Sequence, residues 1–162
     1  MTRRDDYSAD EWGQLLAAPR VAGALVVVAD LHVTGVLGEF TALAMALTDR
    51  EGDGADNDLV QSLIDSMAET LDDEQDDPDT QDLDELRETA RALLRAAAAI
   101  VDATATPTEA AGYRRWVLGG ATATAEARKE SAFLGIGGER VSADERDALT
   151  DIADALGVPD PA

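Results

Sequence analysis

Thr106-Pro-Thr-Glu109, Ser131-Ala-Phe-Leu-Gly-Ile-Gly-Gly-Glu-Arg-Val141 and Ser142-Ala-Asp-Glu145 divide the stretch from Thr106 to Leu156 into a helix, a link and a second helix. Both helix starts carry the capping-box spacing. A Thr or Ser hydroxyl can accept from a backbone N–H of the first turn, and the glutamate three residues on can reach back to the cap's own N–H. Pro107 falls at the first helical position, where its missing donor costs nothing. The first helix carries Tyr113, Trp116 and Val117 and is predicted to end near Lys129-Glu130. Tyr113 and Trp116 read as core anchors. Gly119, Ala123 and Ala127 recur every four residues, so this row of small side chains is expected to face a neighbouring helix closely.

The same logic extends towards the N-terminus. Ser8-Ala-Asp-Glu11 repeats the tetrapeptide at Ser142, and predicts a short helix with Trp12, Leu15 and Leu16 on its apolar face. Residues 1–7 read as a polar, frayed end. Pro19 is expected to begin a separate helix running from Arg20 to about Asp30, apolar nearly all round and therefore buried on most sides. A strand through Val26-Val27-Val28 is the competing reading, and the surrounding alanines favour helix. A membrane span needs about twenty largely uninterrupted apolar residues. Here Asp30 and His32 cut the run after nine, so the reading is soluble core. Arg3-Arg4 does not make an export signal, because Asp5, Asp6, Asp10 and Glu11 stand between it and the apolar run.

Further along, Leu31 to Gly38 reads as a loop and about 39–50 as a helix with Phe40, Leu43, Ala44 and Leu47 at helical spacing. Asn57 caps a helix whose Leu59, Val60, Leu63, Ile64, Met67 and Leu71 follow a three-four repeat. Residues 72–81 form an acidic, mobile linker centred on Pro78. From Asp82 to about Ala103 a helix turns Leu83, Leu86, Ala90, Leu93, Leu94, Ala97, Ile100 and Val101 inward. Gly157 is placed to close the last helix. The expectation is an all-α, single-domain bundle of about six or seven helices.

Composition limits the chemistry. No cysteine is present, which excludes disulfide and thiolate chemistry, and the single histidine, His32, excludes any site needing two imidazoles. The net charge is −21, and of thirteen basic residues only Lys129 is a lysine. An acidic partner such as nucleic acid would be repelled. Acid excess with lysine depletion resembles the proteins of extreme halophiles, where short screening lengths make dense like charge tolerable. The charge is therefore read as adaptation to a salty cytoplasm; a DNA mimic or an acidic docking surface is the competing reading.

Three constellations invite chemistry. Gly135-Ile-Gly-Gly138 ahead of a helix start, with Arg128, Lys129 and Arg140 nearby, is a candidate anion site built on Gly135, Gly137 and Gly138. It lacks the strand and the G-x-G-x-x-G spacing of a dinucleotide loop, and it lacks the Gly-Lys-Ser/Thr of a P-loop. The favoured reading is a loop whose Phe133, Leu134 and Ile136 plug the bundle while the glycines turn the chain. Asp49, Glu51 and Asp53 imitate the first half of an EF-hand loop and form a candidate weak cation site. The twelfth position, however, is Val60 where a bidentate glutamate is required. His32 with Asp30 or Glu39 is the one histidine–carboxylate combination, and no serine sits on a nucleophile elbow. No catalytic residue and no cofactor is indicated.

Glu11-Trp12-x-x-Leu15-x-x-Ala18-Pro19 and Lys129-Glu130-x-x-Phe133-Leu134-Gly135-x-Gly137-Gly138-x-x-Val141-Ser142-x-x-Glu145 together resemble a family of uncharacterised small helical proteins from bacteria and archaea. That family implies no known activity. Its members often carry two glycines where Ser131-Ala132 stands here, which implies that those two positions are dispensable for anion binding. The C-terminal Val141-Ser142-x-x-Glu145 with Leu149, Ile152 and Leu156 is also weakly similar to the tellurite-resistance TerB-like helical domains. The functional expectation is a cytoplasmic, non-enzymatic interaction or stress-associated module with an unknown protein partner, no nucleic acid and no membrane. The alternative is a small-ligand or cation-binding protein using the glycine-rich loop 131–141 or the acidic turn 49–57.

Overall fold

The computed structural model describes residues 2–29, 43–48, 56–70, 83–131 and 142–158, apart from the side chains of 69, 70, 83 and 127–131. Among them a 3-10 turn, Arg4–Asp6, precedes five long α-helices: α1 Ala9–Ala29, α2 Asp58–Thr70, α3 Leu83–Thr104, α4 Pro107–Ser131 and α5 Ala143–Leu156. A further helical stretch covers 43–48, and no strand occurs among the described residues. The chain is an all-α bundle. Residues 30–42, 71–82 and 132–141 fall outside the description, and with them the loop at 31–38, the linker at 72–81 and the plug residues Phe133, Leu134 and Ile136.

Helix α1 is the hub. It packs chiefly on α4 and α3, more lightly on α5 and α2, and α5 in turn lies on α3 and α4. Trp12, Leu15, Ala18, Ala22 and Val26 bury its inner face. Opposite them lie Leu94, Ala97 and Val101 of α3, Tyr113, Val117 and Ala121 of α4, and Ile152 and Leu156 of α5. Burying an aliphatic side chain is worth about 1.5–3 kcal/mol relative to leaving it exposed, so this aliphatic core, with Tyr113 and Trp116 set into it, supplies the main favourable term.

The starts and stops follow local chemistry. Ser8 accepts from Glu11 N–H at 3.2 Å while Glu11 accepts from Ser8 N–H at 2.8 Å. Thr106 and Glu109 do the same, as do Ser142 and Glu145. The Asn57 carboxamide oxygen accepts from Leu59 N–H and Val60 N–H. At the far end Gly157, at φ 67°, returns its N–H to Asp154, and Val158 returns its N–H to Ala153 at 2.9 Å. That left-handed closure is open to glycine at no steric cost.

Pro19 does not begin a helix; it lies inside one. A proline in a helix interior removes the N–H that would bond the carbonyl four residues back, here that of Leu15. The Tyr113 hydroxyl donates to that carbonyl at 3.0 Å and fills the gap from α4. Two expected helices are therefore one of 21 residues. By length and composition α1 would also suit a membrane crossing. In this fold it has the other helices of the bundle around it.

Two further expectations are corrected. The N-terminal residues are not frayed from Thr2 onward: Thr2 and Tyr7 are buried, and Tyr7 packs on Trp12 with ring centroids 5.6 Å apart. The Arg4 guanidinium lies 5.1 Å from the centre of the Trp12 ring and also donates to the Tyr7 carbonyl. Of the expected row of α4, Gly119 and Ala123 are half-buried and the Ala127 side chain lies outside the described residues, while the neighbouring Gly120, Ala121, Thr124 and Ala125 are buried. A side chain at Gly120 would run into Leu47, and one at Gly23 into Leu43. The helical stretch 43–48 thus drops its two leucines onto glycines of α1 and α4, and Trp116 Nε1 donates to the Leu47 carbonyl at 3.3 Å.

Candidate functional site

Two places gather polar side chains. The first centres on Glu109, the third residue of α4. Its carboxylate caps Thr106 through that residue's N–H and hydroxyl, and it also accepts from the Thr2 N–H at 2.9 Å and the Thr2 hydroxyl at 2.7 Å. Its main-chain carbonyl accepts from Asn57 Nδ2 at 2.9 Å, so the cap of α2 is bolted to the start of α4. Gly112 makes room: a Cβ there would stand 2.2 Å from Asn57 Nδ2.

Burial is the largest single influence on the Glu109 carboxyl and opposes its ionisation. The N–H and O–H donors of Thr2 and Thr106 together outweigh it and hold the group down at about 2. Beside it the Tyr7 hydroxyl is buried without a hydrogen-bond partner among the described residues. Burial first, then the charges of Glu109, Asp6 and Glu11, push Tyr7 up to about 12. A carboxylate saturated by donors and shut away from solvent is a fastener rather than a general base, which needs access to a substrate proton.

The second place is a cleft of about 350 Å³ where the end of α1 meets α3 and the start of α5. Leu25, Ala29 and Ala148 give it an apolar floor, and Arg87, Arg91, Asp144, Asp147 and Asp151 give it charged walls. The arginines are four apart on α3 and the aspartates three and then four apart on α5, so each set occupies one helix face. Arg91 bridges to Asp151 and to Glu88, the latter at 3.7 Å. The hydrogen bond to Asp151 is the main cause that raises the Arg91 guanidinium further above its ordinary value. Arg87 pairs at 3.5 Å with the exposed Asp84. A concave site with an apolar base and a few charged groups is the usual form of a small-molecule pocket, and this one lies at the small end of that range.

None of the site residues singled out from sequence is described at either place. Asp49, Glu51, Asp53, Gly135, Gly137, Gly138 and Arg140 lie outside the described residues, as do Asp30, His32 and Glu39. Arg128 and Lys129 fall in the final turns of α4, with their side chains outside the description. Val60, where an EF-hand would need its glutamate, is fully buried in α2. Among the described residues no three acidic or histidine side chains converge as metal ligands do. The cleft went unread because each polar face looks like ordinary solvated surface until α3 and α5 are laid side by side.

The motif behind the TerB-like resemblance has a local explanation, since Ser142 and Glu145 form a capping box available to any helix start. Compared with protein-family models, characterised proteins and solved structures, the chain matches none.

Proposed function

We propose that this chain is a non-enzymatic helical interaction module working in a salty cytoplasm. One observation carries the reading: the carboxylate whose ionisation is most perturbed, Glu109, is spent on fastening Thr2, Thr106 and, through its carbonyl, Asn57. Strongly perturbed acids often mark catalytic centres. Here the donors of Thr2 and Thr106 account for the lowering, as the capping bonds to Ser8 do for Glu11. The net charge of −21 fits solvent adaptation better than a nucleic-acid partner.

The test is affinity purification of the chain from extract of its source cells in 2 M KCl, beside an unrelated protein of similar net charge as a control. A near-stoichiometric partner recovered with the chain and not with the control supports the module. Recovery of no such partner with either protein contradicts it.

A second reading, small-ligand binding, is favoured by the cleft. The glycine-rich loop and the acidic turn first considered for it lie outside the described residues.

A further inference from the structure

The cleft between α1, α3 and α5 has chemistry of its own, independent of the module reading. Arg91 is already matched by Asp151 and Glu88. That leaves Arg87 on one wall, whose ion pair among the described residues is the 3.5 Å contact to an exposed Asp84. On the other wall are Asp144 and Asp147, neither ion-paired among the described residues. Between the walls lies the apolar floor of Leu25, Ala29 and Ala148. We propose that this cleft binds a small zwitterion: a compound with an ammonium group and a carboxylate on a short aliphatic body.

Charge complementarity selects that class. A ligand carrying only a cation meets the guanidinium of Arg87, and a ligand carrying only an anion meets the aspartates of α5. A zwitterion sets its carboxylate on Arg87, whose planar fork suits bidentate contact with a carboxylate. Its ammonium falls to Asp144 and Asp147, which stand three apart on one helix face at a spacing of about 5–6 Å. Its carbon body covers Leu25, Ala29 and Ala148, so part of the attraction is apolar and survives the salt that screens exposed ion pairs. A volume of about 350 Å³ has ample room for an amino-acid-sized molecule.

Three probes of one shape separate the contributions: L-leucine, 3-methylbutan-1-amine, which lacks the carboxylate, and 4-methylpentanoate, which lacks the ammonium. Each is titrated into the full chain at constant KCl while backbone amide shifts are followed by NMR. Leucine should shift the amides of Ala29, Arg87 and Ala148 saturably in the millimolar range. It should bind about tenfold more tightly than either partial analogue, the margin that one charge-assisted contact supplies. Arg87→Gln should bring leucine down to the level of the amine, and Asp147→Asn should bring it close to that of the carboxylic acid. Both substitutions are on exposed or half-exposed side chains, and unchanged amide shifts away from the cleft report a retained fold. An amine that binds as tightly as leucine would overturn the proposal by reducing the cleft to an acidic surface. Absence of saturable shifts at tens of millimolar leucine would overturn it outright.

Discussion

The Tyr113 hydroxyl occupies the place of the backbone donor that Pro19 cannot supply, bonding the Leu15 carbonyl at 3.0 Å. Tyr113 is fully buried, and burial raises its hydroxyl well above the ordinary phenol value, so it stays a donor at any working pH. The bond joins α1 to α4 at the centre of the core. Tyr113→Phe would leave the buried carbonyl without a partner, at an expected cost of about 1–3 kcal/mol. In a Pro19→Ala background residue 19 regains its N–H, and the same substitution should cost under about 1 kcal/mol. Urea unfolding of the four proteins in this cycle measures the coupling. Costs that simply add would contradict the account.

Glu109 predicts a pH dependence with a definite sign. Its carboxyl sits at about 2 in the folded chain against 4.5 ordinarily. A lowered folded value means that the stabilisation is complete above about pH 5 and is lost as pH falls towards 2. Glu109→Gln should therefore cost on the order of 3 kcal/mol at pH 7. The gap between parent and variant should narrow steadily between pH 5 and pH 2. Denaturant unfolding of the pair across that range reads it directly, and a gap that stays constant would show that the charge is not what holds Thr2.

Two glycines should behave oppositely. A Cβ at Gly112 would press on Asn57 Nδ2 at 2.2 Å, displacing the side chain that caps α2. Gly112→Ala is expected to cost about 2 kcal/mol from the lost cap and the crowding. Gly13, inside α1, has nothing within 4 Å of its Cβ position. Gly13→Ala should stabilise by about 0.5–1 kcal/mol through helix propensity alone. Thermal unfolding midpoints of the two variants should move to opposite sides of the parent.

What could be read in advance divides along physical lines. The caps at Ser8, Asn57, Thr106 and Ser142, and the stop at Gly157, were legible because each is settled within a few residues. Pro19 was misread because the donor that rescues its helix comes from Tyr113, 98 residues from Leu15. Thr2 was misread because its partner, Glu109, is 107 residues away. The small-residue row of α4 was read one place off. Gly119 and Gly120 offer adjacent rows, and only the seating of Leu47 selects Gly120. The charged cleft was invisible for the same reason: Arg91 meets Asp151 across 60 positions of sequence.

The central claim is that the acidic surface belongs to the solvent and that the conspicuous buried carboxylate is scaffolding. Its most direct test is the thermal unfolding midpoint in 0.1 and 2 M KCl at constant pH. The screening length falls from about 10 Å at 0.1 M to about 3 Å at 1 M, which relieves self-repulsion in a chain of net charge −21. The midpoint should rise by roughly 10 °C, the shift that about 3 kcal/mol produces in a domain of this size. A midpoint that does not move between the two salts would contradict the claim and return the acidic surface to the role of a docking face.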